Sequence, residues 1–128
     1  MEIEHLGLNV KNPAEMADWY VAHLGMRIVR GCDEPAVCRF VADSADDVML
    51  EIYHNPDADT PDYSTLDPLV AHLAFASDDV EADHARLLAA GATTATAPTP
   101  LDNGDTIAIL RDPWGFPIQL CHRAEPML

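Results

Sequence analysis

The sequence predicts an α+β fold made of two tandem βαβββ modules, and three observations carry that expectation. The first is an internal repeat: Glu4-His5-Leu6-Gly7-Leu8 is answered by Ala71-His72-Leu73-Ala74-Phe75, and Met49-Leu50-Glu51-Ile52 by Ile118-Gln119-Leu120. The second is spacing, with His5 46 residues before Glu51 and His72 47 residues before Gln119. The third is punctuation: Gly25 and Gly91 follow their histidines by 20 and 19 residues. Self-similarity at such a period outranks local propensity in choosing a fold. At 128 residues and 48% hydrophobic content, the chain holds one compact domain rather than two independent ones, so the modules should share a core.

The elements follow in order. Residues 2–10 alternate as a strand. Asn12-Pro13-Ala14-Glu15 then places a cap, a proline at the first helical position and a glutamate three residues beyond the cap. Met16, Trp19, Tyr20 and Leu24 recur at helical spacing, and Gly25 supplies a left-handed stop. Extended runs follow at 26–30, 36–42 and 47–54. In the second half, a strand at 70–77 leads to the capped start Asp78-Asp79-Val80-Glu81, a helix carrying Leu87 and Leu88, and the stop at Gly91. Strands at 92–97, 105–111 and 116–122 complete it, the last two separated by the tight turn Asp112-Pro113-Trp114-Gly115. Modules 1–54 and 68–122 are thus joined by a linker over 55–67, a stretch with prolines, aspartates and no periodicity.

Seven Lys+Arg stand against twenty-two Asp+Glu, a formal charge of −15. That field repels nucleic acid and anionic membrane surfaces, so neither is expected as a partner. No apolar run approaches the ~20 residues of a membrane helix, and the N-terminus carries no export pattern. Cys32, Cys38 and Cys121 are odd in number and form no C-x-x-C pair, which predicts three free thiols and a reducing, cytoplasmic setting.

Strand parity selects the candidate site. Leu6, Leu8 and Val10 fall on the face opposite His5; Val48, Leu50 and Ile52 oppose Glu51; Leu73 and Phe75 oppose His72; Ile118 and Leu120 oppose Gln119. One face of each strand can pack on a helix while the other carries a metal-capable group. A single strand histidine is usually structural, but two histidines and two acid or amide groups repeated at equivalent positions predict a shared divalent-metal site of His5, Glu51, His72 and Gln119. His23 and His84 fall on helices, and His54 and His122 on the opposite parity. Cys121 shares the face of Gln119. Arg27, Arg39 and Arg111 are the cationic candidates for a substrate carboxylate.

The chain resembles the vicinal oxygen chelate superfamily, which includes lactoylglutathione lyase, methylmalonyl-CoA epimerase, extradiol dioxygenases, fosfomycin-modifying enzymes and bleomycin-binding proteins. Beyond the strands above, His23-Leu24-Gly25-Met26-Arg27 and Arg111-Asp112-Pro113-Trp114-Gly115-Phe116-Pro117-Ile118-Gln119-Leu120 carry the resemblance, which spans nearly the whole chain and is closest in pattern to small bacterial glyoxalases. It implies modules arranged as a U-shaped, eight-stranded open barrel. It also implies one divalent ion (Ni, Zn, Co, Mn or Fe) held by His5, Glu51, His72 and Gln119, with a small-molecule substrate and a symmetric homodimer. The implied function is a metal-dependent lyase or isomerase acting by proton transfer on a small oxygen-chelating, α-hydroxycarbonyl-like substrate. An extradiol-type dioxygenase and a non-enzymatic drug- or metabolite-binding resistance protein are the alternatives. Gln119 departs from the family pattern, which usually has glutamate there. Glu51 is therefore the expected catalytic base, because an amide has no useful basicity although its carbonyl oxygen still binds a hard metal.

Overall fold

The structure, a computed structural model, describes residues 2–127. Its elements are β1 (His5–Asn9), α1 (Pro13–Leu24), β2 (Arg27–Cys32), β3 (Cys38–Ala42), β4 (Met49–Tyr53), β5 (Leu73–Ala76), α2 (Val80–Ala89), β6 (Thr93–Pro100), β7 (Thr106–Arg111) and β8 (Pro117–His122). A short 3-10 turn, Tyr63–Thr65, lies between β4 and β5. The α+β class and the repeated βαβββ order are as the sequence predicts. The chain divides into two compact units, Met1–Pro61 and Asp62–Leu128.

Each unit contains one four-stranded mixed sheet, in the orders β1-β4-β3-β2 and β5-β8-β7-β6. The first and last strands of each unit run parallel, and the remaining neighbours are antiparallel. Parallel neighbours cannot be joined by a tight hairpin; the helix and two intervening strands supply the long crossover they need.

The helices lie where the apolar faces demand. In the first unit Met16, Ala17 and Tyr20 of α1 are buried, as are Val41, Leu50 and Ile52 of β3 and β4, the strands α1 lies against. In the second, Val80 and Leu87 of α2 are buried with Ala108, Leu110, Ile118 and Leu120 of β7 and β8. Each large side chain so buried contributes roughly 1.5–3 kcal/mol. Trp19 and Leu24 are only half-buried. No helix among the described residues is long and apolar enough to cross a membrane.

The helix boundaries follow the local chemistry. Pro13 opens α1, and Gly25 closes it with φ +69°. Asn12 sits at the cap position, but its side chain donates to the Glu15 carboxylate at 3.3 Å rather than accepting from the backbone. Asp79 does cap α2, accepting from the Ala82 N–H at 2.9 Å. Strand β5 is shorter than the predicted 70–77. Asp67 accepts from Leu69 N–H at 2.9 Å through its side chain and from Val70 N–H at 2.9 Å through its carbonyl, and this turn takes the preceding backbone out of the extended state. Strand β6 runs longer than 92–97. It is an edge strand, the place in a sheet where prolines such as Pro98 and Pro100 are tolerated.

One expectation is overturned. Cys32 and Cys38 form a disulfide, and Cys121 is the free cysteine among the described residues. Residues 32 and 38 are directly opposed in the β2–β3 hairpin with Cα atoms 5.1 Å apart, within bridging range. Cysteine counting is blind to that register. The inference to a reducing compartment rested on unpaired thiols and loses that support.

The turn between β7 and β8 is built around the buried Asp112, whose Oδ1 accepts from Trp114 N–H at 2.9 Å and Phe116 N–H at 2.8 Å. Gly115 completes it at φ +87°, and a Cβ there would stand 2.8 Å from the backbone of Ser64.

Two outcomes follow from this packing. Thiol titration of the unfolded, unreduced protein should find one thiol, rising to three after reduction; three before reduction would disprove the bridge. Gly115→Ala should destabilise the protein by about 3 kcal/mol in urea unfolding, since strained φ and collision with main chain add. Gly25→Ala, with nothing within 4 Å of its Cβ position, should cost only about 1 kcal/mol. Equal losses would show that Ser64 is free to move away.

Candidate metal centre

In the first unit β1 runs parallel to β4 with His5 opposite Met49 and Gly7 opposite Glu51. Leu50 and Ile52 point to the core. The intervening Glu51 therefore stands on the other face with His5, and His5 Nε2 lies 3.4 Å from Glu51 Oε2. Both side chains are about one-third exposed, at 35% and 29%. Gly7 keeps space beside the carboxylate: a Cβ there would lie 3.3 Å from the Tyr53 ring and 3.7 Å from Glu51 Oε2. The Phe40 ring, from the position opposite Glu51, meets the His5 imidazole edge-on with centroids 5.6 Å apart.

His5 Nδ1 is hydrogen-bonded to the Glu4 carboxylate. That bond, together with the charges of Glu4 and Glu51, raises the His5 pKa above its ordinary value, against a smaller opposing effect of desolvation. Alternation along a continuous strand would send Glu4 to the opposite face, so sequence parity missed this partner. The strand begins only at His5, which frees Glu4 to turn toward the ring.

The second unit repeats the register. Gln119 lies opposite Ala74, as Glu51 lies opposite Gly7, and His72 precedes Ala74 by two residues as His5 precedes Gly7. His72 is exposed just before β5, and Gln119 is half-buried in β8. His72 Nδ1 lies 2.8 Å from the Pro68 carbonyl oxygen. A carbonyl can only accept, so Nδ1 carries the proton and Nε2 presents its lone pair.

The donor chemistry of the His5–Glu51 pair fits a divalent ion. Ligand atoms with bonds of about 2.0–2.2 Å to one ion stand roughly 3.0–3.4 Å apart, which the His5–Glu51 separation matches. No three His, Cys, Asp or Glu side chains form a ready-made cage among the described residues, and Gln119, an amide, does not count toward such a set.

The other candidates are engaged elsewhere. Arg27 reaches Asp46 at 2.7 Å. Arg39 binds Asp33 at 2.7 Å and the carbonyls of Cys32 and Cys38 at 2.9 and 2.8 Å. Arg111 binds three backbone carbonyls. In this structure these guanidinium groups bind the protein's own acceptors. Cys121 shares the face of Gln119 but is buried; burial first, and the Asp105 carboxylate after it, push its thiol upward against the opposing pull of Arg123.

A repeated βαβββ unit, with a histidine at or just before its first strand and an acid or amide on its last, is the arrangement to compare with known proteins. The family model described as "Glyoxalase/Bleomycin resistance protein/Dioxygenase superfamily" matches residues 2–120, and the chain belongs to that superfamily. It is 30% identical over 129 residues to a lactoylglutathione lyase of Neisseria meningitidis, covering 96% of this chain and 91% of that protein. Among solved structures, glyoxalase I from Zea mays superposes with a TM-score of 0.76 at 25% identity, over 97% of this chain and 45% of the maize chain. TnmS3, an antibiotic binding protein from Streptomyces sp. CB03234, shares the fold, with a TM-score of 0.71 at 23% identity over 94% of this chain and 93% of its own.

The raised His5 pKa has a defined sign. Its contribution to folding is full below pH ~6.5, the unfolded value, and is lost as pH rises through the higher folded value. In metal-free protein, Glu4→Gln should lower the His5 midpoint most and Glu51→Gln less, read by NMR titration of the ring. An unmoved midpoint in Glu4→Gln would remove Glu4 as the cause.

Proposed function

We propose that the protein is a divalent-metal-dependent lyase or isomerase of glyoxalase type, with His5, Glu51, His72 and Gln119 as ligands and Glu51 as the proton carrier. The observation that supports this best is the His5–Glu51 pair at 3.4 Å, repeated in register by His72 and Gln119. The cofactor is one divalent ion of the Ni, Zn, Co, Mn or Fe type per site, and the protein a symmetric homodimer. The substrate is a small molecule with two oxygens on adjacent carbons.

A divalent ion held by these residues would supply Lewis acidity, making a C–H beside the substrate oxygens easier to deprotonate. Glu51 then removes the proton through a carboxylate oxygen and returns it to the adjacent carbon. Glu4 holds His5 at Nδ1 and leaves Nε2 for the ion. Gln119 offers a carbonyl oxygen and no base. The centre thus has one proton-transfer group instead of two and one negative charge fewer, which directs abstraction to one side of the substrate and weakens metal retention.

Elemental analysis of reconstituted protein should find about one ion per site, and the His5→Ala, His72→Ala double variant should lose it. Glu51→Gln should retain part of the metal and lower turnover of a glutathione hemithioacetal or a related α-hydroxycarbonyl by ~100-fold or more. Equal metal in wild type and double variant removes the site, and undiminished turnover in Glu51→Gln removes its catalytic role. Oxygen consumption with a catechol by the Fe(II) form would replace the proposal with dioxygenase chemistry.

A further inference from the structure

We infer that Arg111 is a positioning residue for His72: through a strap formed by residues 62–68, it fixes the tautomer and orientation of the imidazole. The inference rests on the proposed role of His72 as a ligand.

Arg111 ends β7 and sends its guanidinium into the strap. Nη1 donates to the carbonyls of Tyr63 at 2.8 Å and Gly115 at 3.0 Å, and Nη2 donates to the carbonyl of Leu66 at 2.6 Å. The Tyr63 ring packs edge-on against Phe116 with centroids 5.0 Å apart. One planar fork therefore ties the strap at two points and joins both to the β7–β8 turn. That turn leads directly into the strand carrying Gln119.

Beyond Leu66 the chain is stiff. Asp67 precedes a proline and so is kept from helical backbone angles, and Pro68 has a fixed φ. Asp67 also closes the turn by accepting from Leu69 and Val70 N–H, both at 2.9 Å. Position set at the Leu66 carbonyl is thereby carried to the Pro68 carbonyl, which accepts from His72 Nδ1–H at 2.8 Å. This bond holds the ring in the Nδ1–H form, the opposite of the tautomer a free histidine side chain favours in water, and leaves the Nε2 lone pair available to a metal. His5 obtains the same result from a carboxylate, Glu4. The two repeats orient their histidines by different partners, and only the second does so through an arginine.

Nitrogen NMR of the histidine rings in the metal-free protein tests this directly. His72 of the wild type should be the Nδ1–H tautomer; finding it as Nε2–H overturns the inference without any variant. Arg111→Lys retains the charge, but a single ammonium cannot span the three carbonyls. It should mix the His72 tautomers, leave the His5 ring signals unchanged and weaken Zn²⁺ binding by 10–100-fold in calorimetry. Arg111→Gln provides a second variant, with α2 amide signals reporting an intact unit. A folded variant with wild-type tautomer and Zn²⁺ affinity disproves the positioning role. If the tautomer shifts in Arg111→Lys while His72→Ala keeps full Zn²⁺ affinity, the positioning stands and the reading of His72 as a ligand fails.

Discussion

Parallel pairing between the first and last strands of each unit is the constraint on which the candidate chemistry depends, because it brings residues some 46 or 47 positions apart to one place. A hairpin cannot make that pairing; only a long crossover can, and the helix within the crossover must bury its apolar stripe. It does so against one face of the sheet. The other face is left for side chains that the core cannot accept, and His5 and Glu51 meet there. Moving β1 by one residue would turn the buried Leu8 outward and His5 toward the core, so burial of the strand's apolar face also sets the register of the polar pair.

The repeat and strand parity made the architecture and the His–Glu pair legible, since alternation and helical spacing are direct images of burial. What stayed hidden depends on local backbone departures or on contacts across the chain. Glu4 was hidden because β1 starts at His5, three residues later than the strand expected over 2–10. The Cys32–Cys38 bridge was hidden because hairpin register, not cysteine count, brings the sulfur atoms together. The ties made by Arg111 were hidden because a lone arginine in sequence gives no sign of the three main-chain carbonyls that its guanidinium reaches.

Electrostatics distinguish the repeats. The first histidine sits among carboxylates, hydrogen-bonded to Glu4 and facing Glu51, and its protonated form is favoured. The second is held by a neutral backbone oxygen and lies in a unit whose corresponding strand offers an amide. A cation approaching the first pair meets negative charge, while one approaching the second meets oriented dipoles. With a formal charge of −15 on the chain, long-range attraction for cations is general, and the two pairs differ only at short range.

Residues 5, 51, 72 and 119 share one further property: none belongs to the apolar side of its sheet, where Leu50, Ile52, Ile118 and Leu120 are packed. Replacing any of them alters donor type and charge without opening a cavity under a helix. The packed core and the candidate donors therefore lie on separate faces of the sheets. A duplicated unit of this kind can carry glutamate in one copy and glutamine in the other on one architecture, because the half-buried face that bears them is not the one that holds the helix.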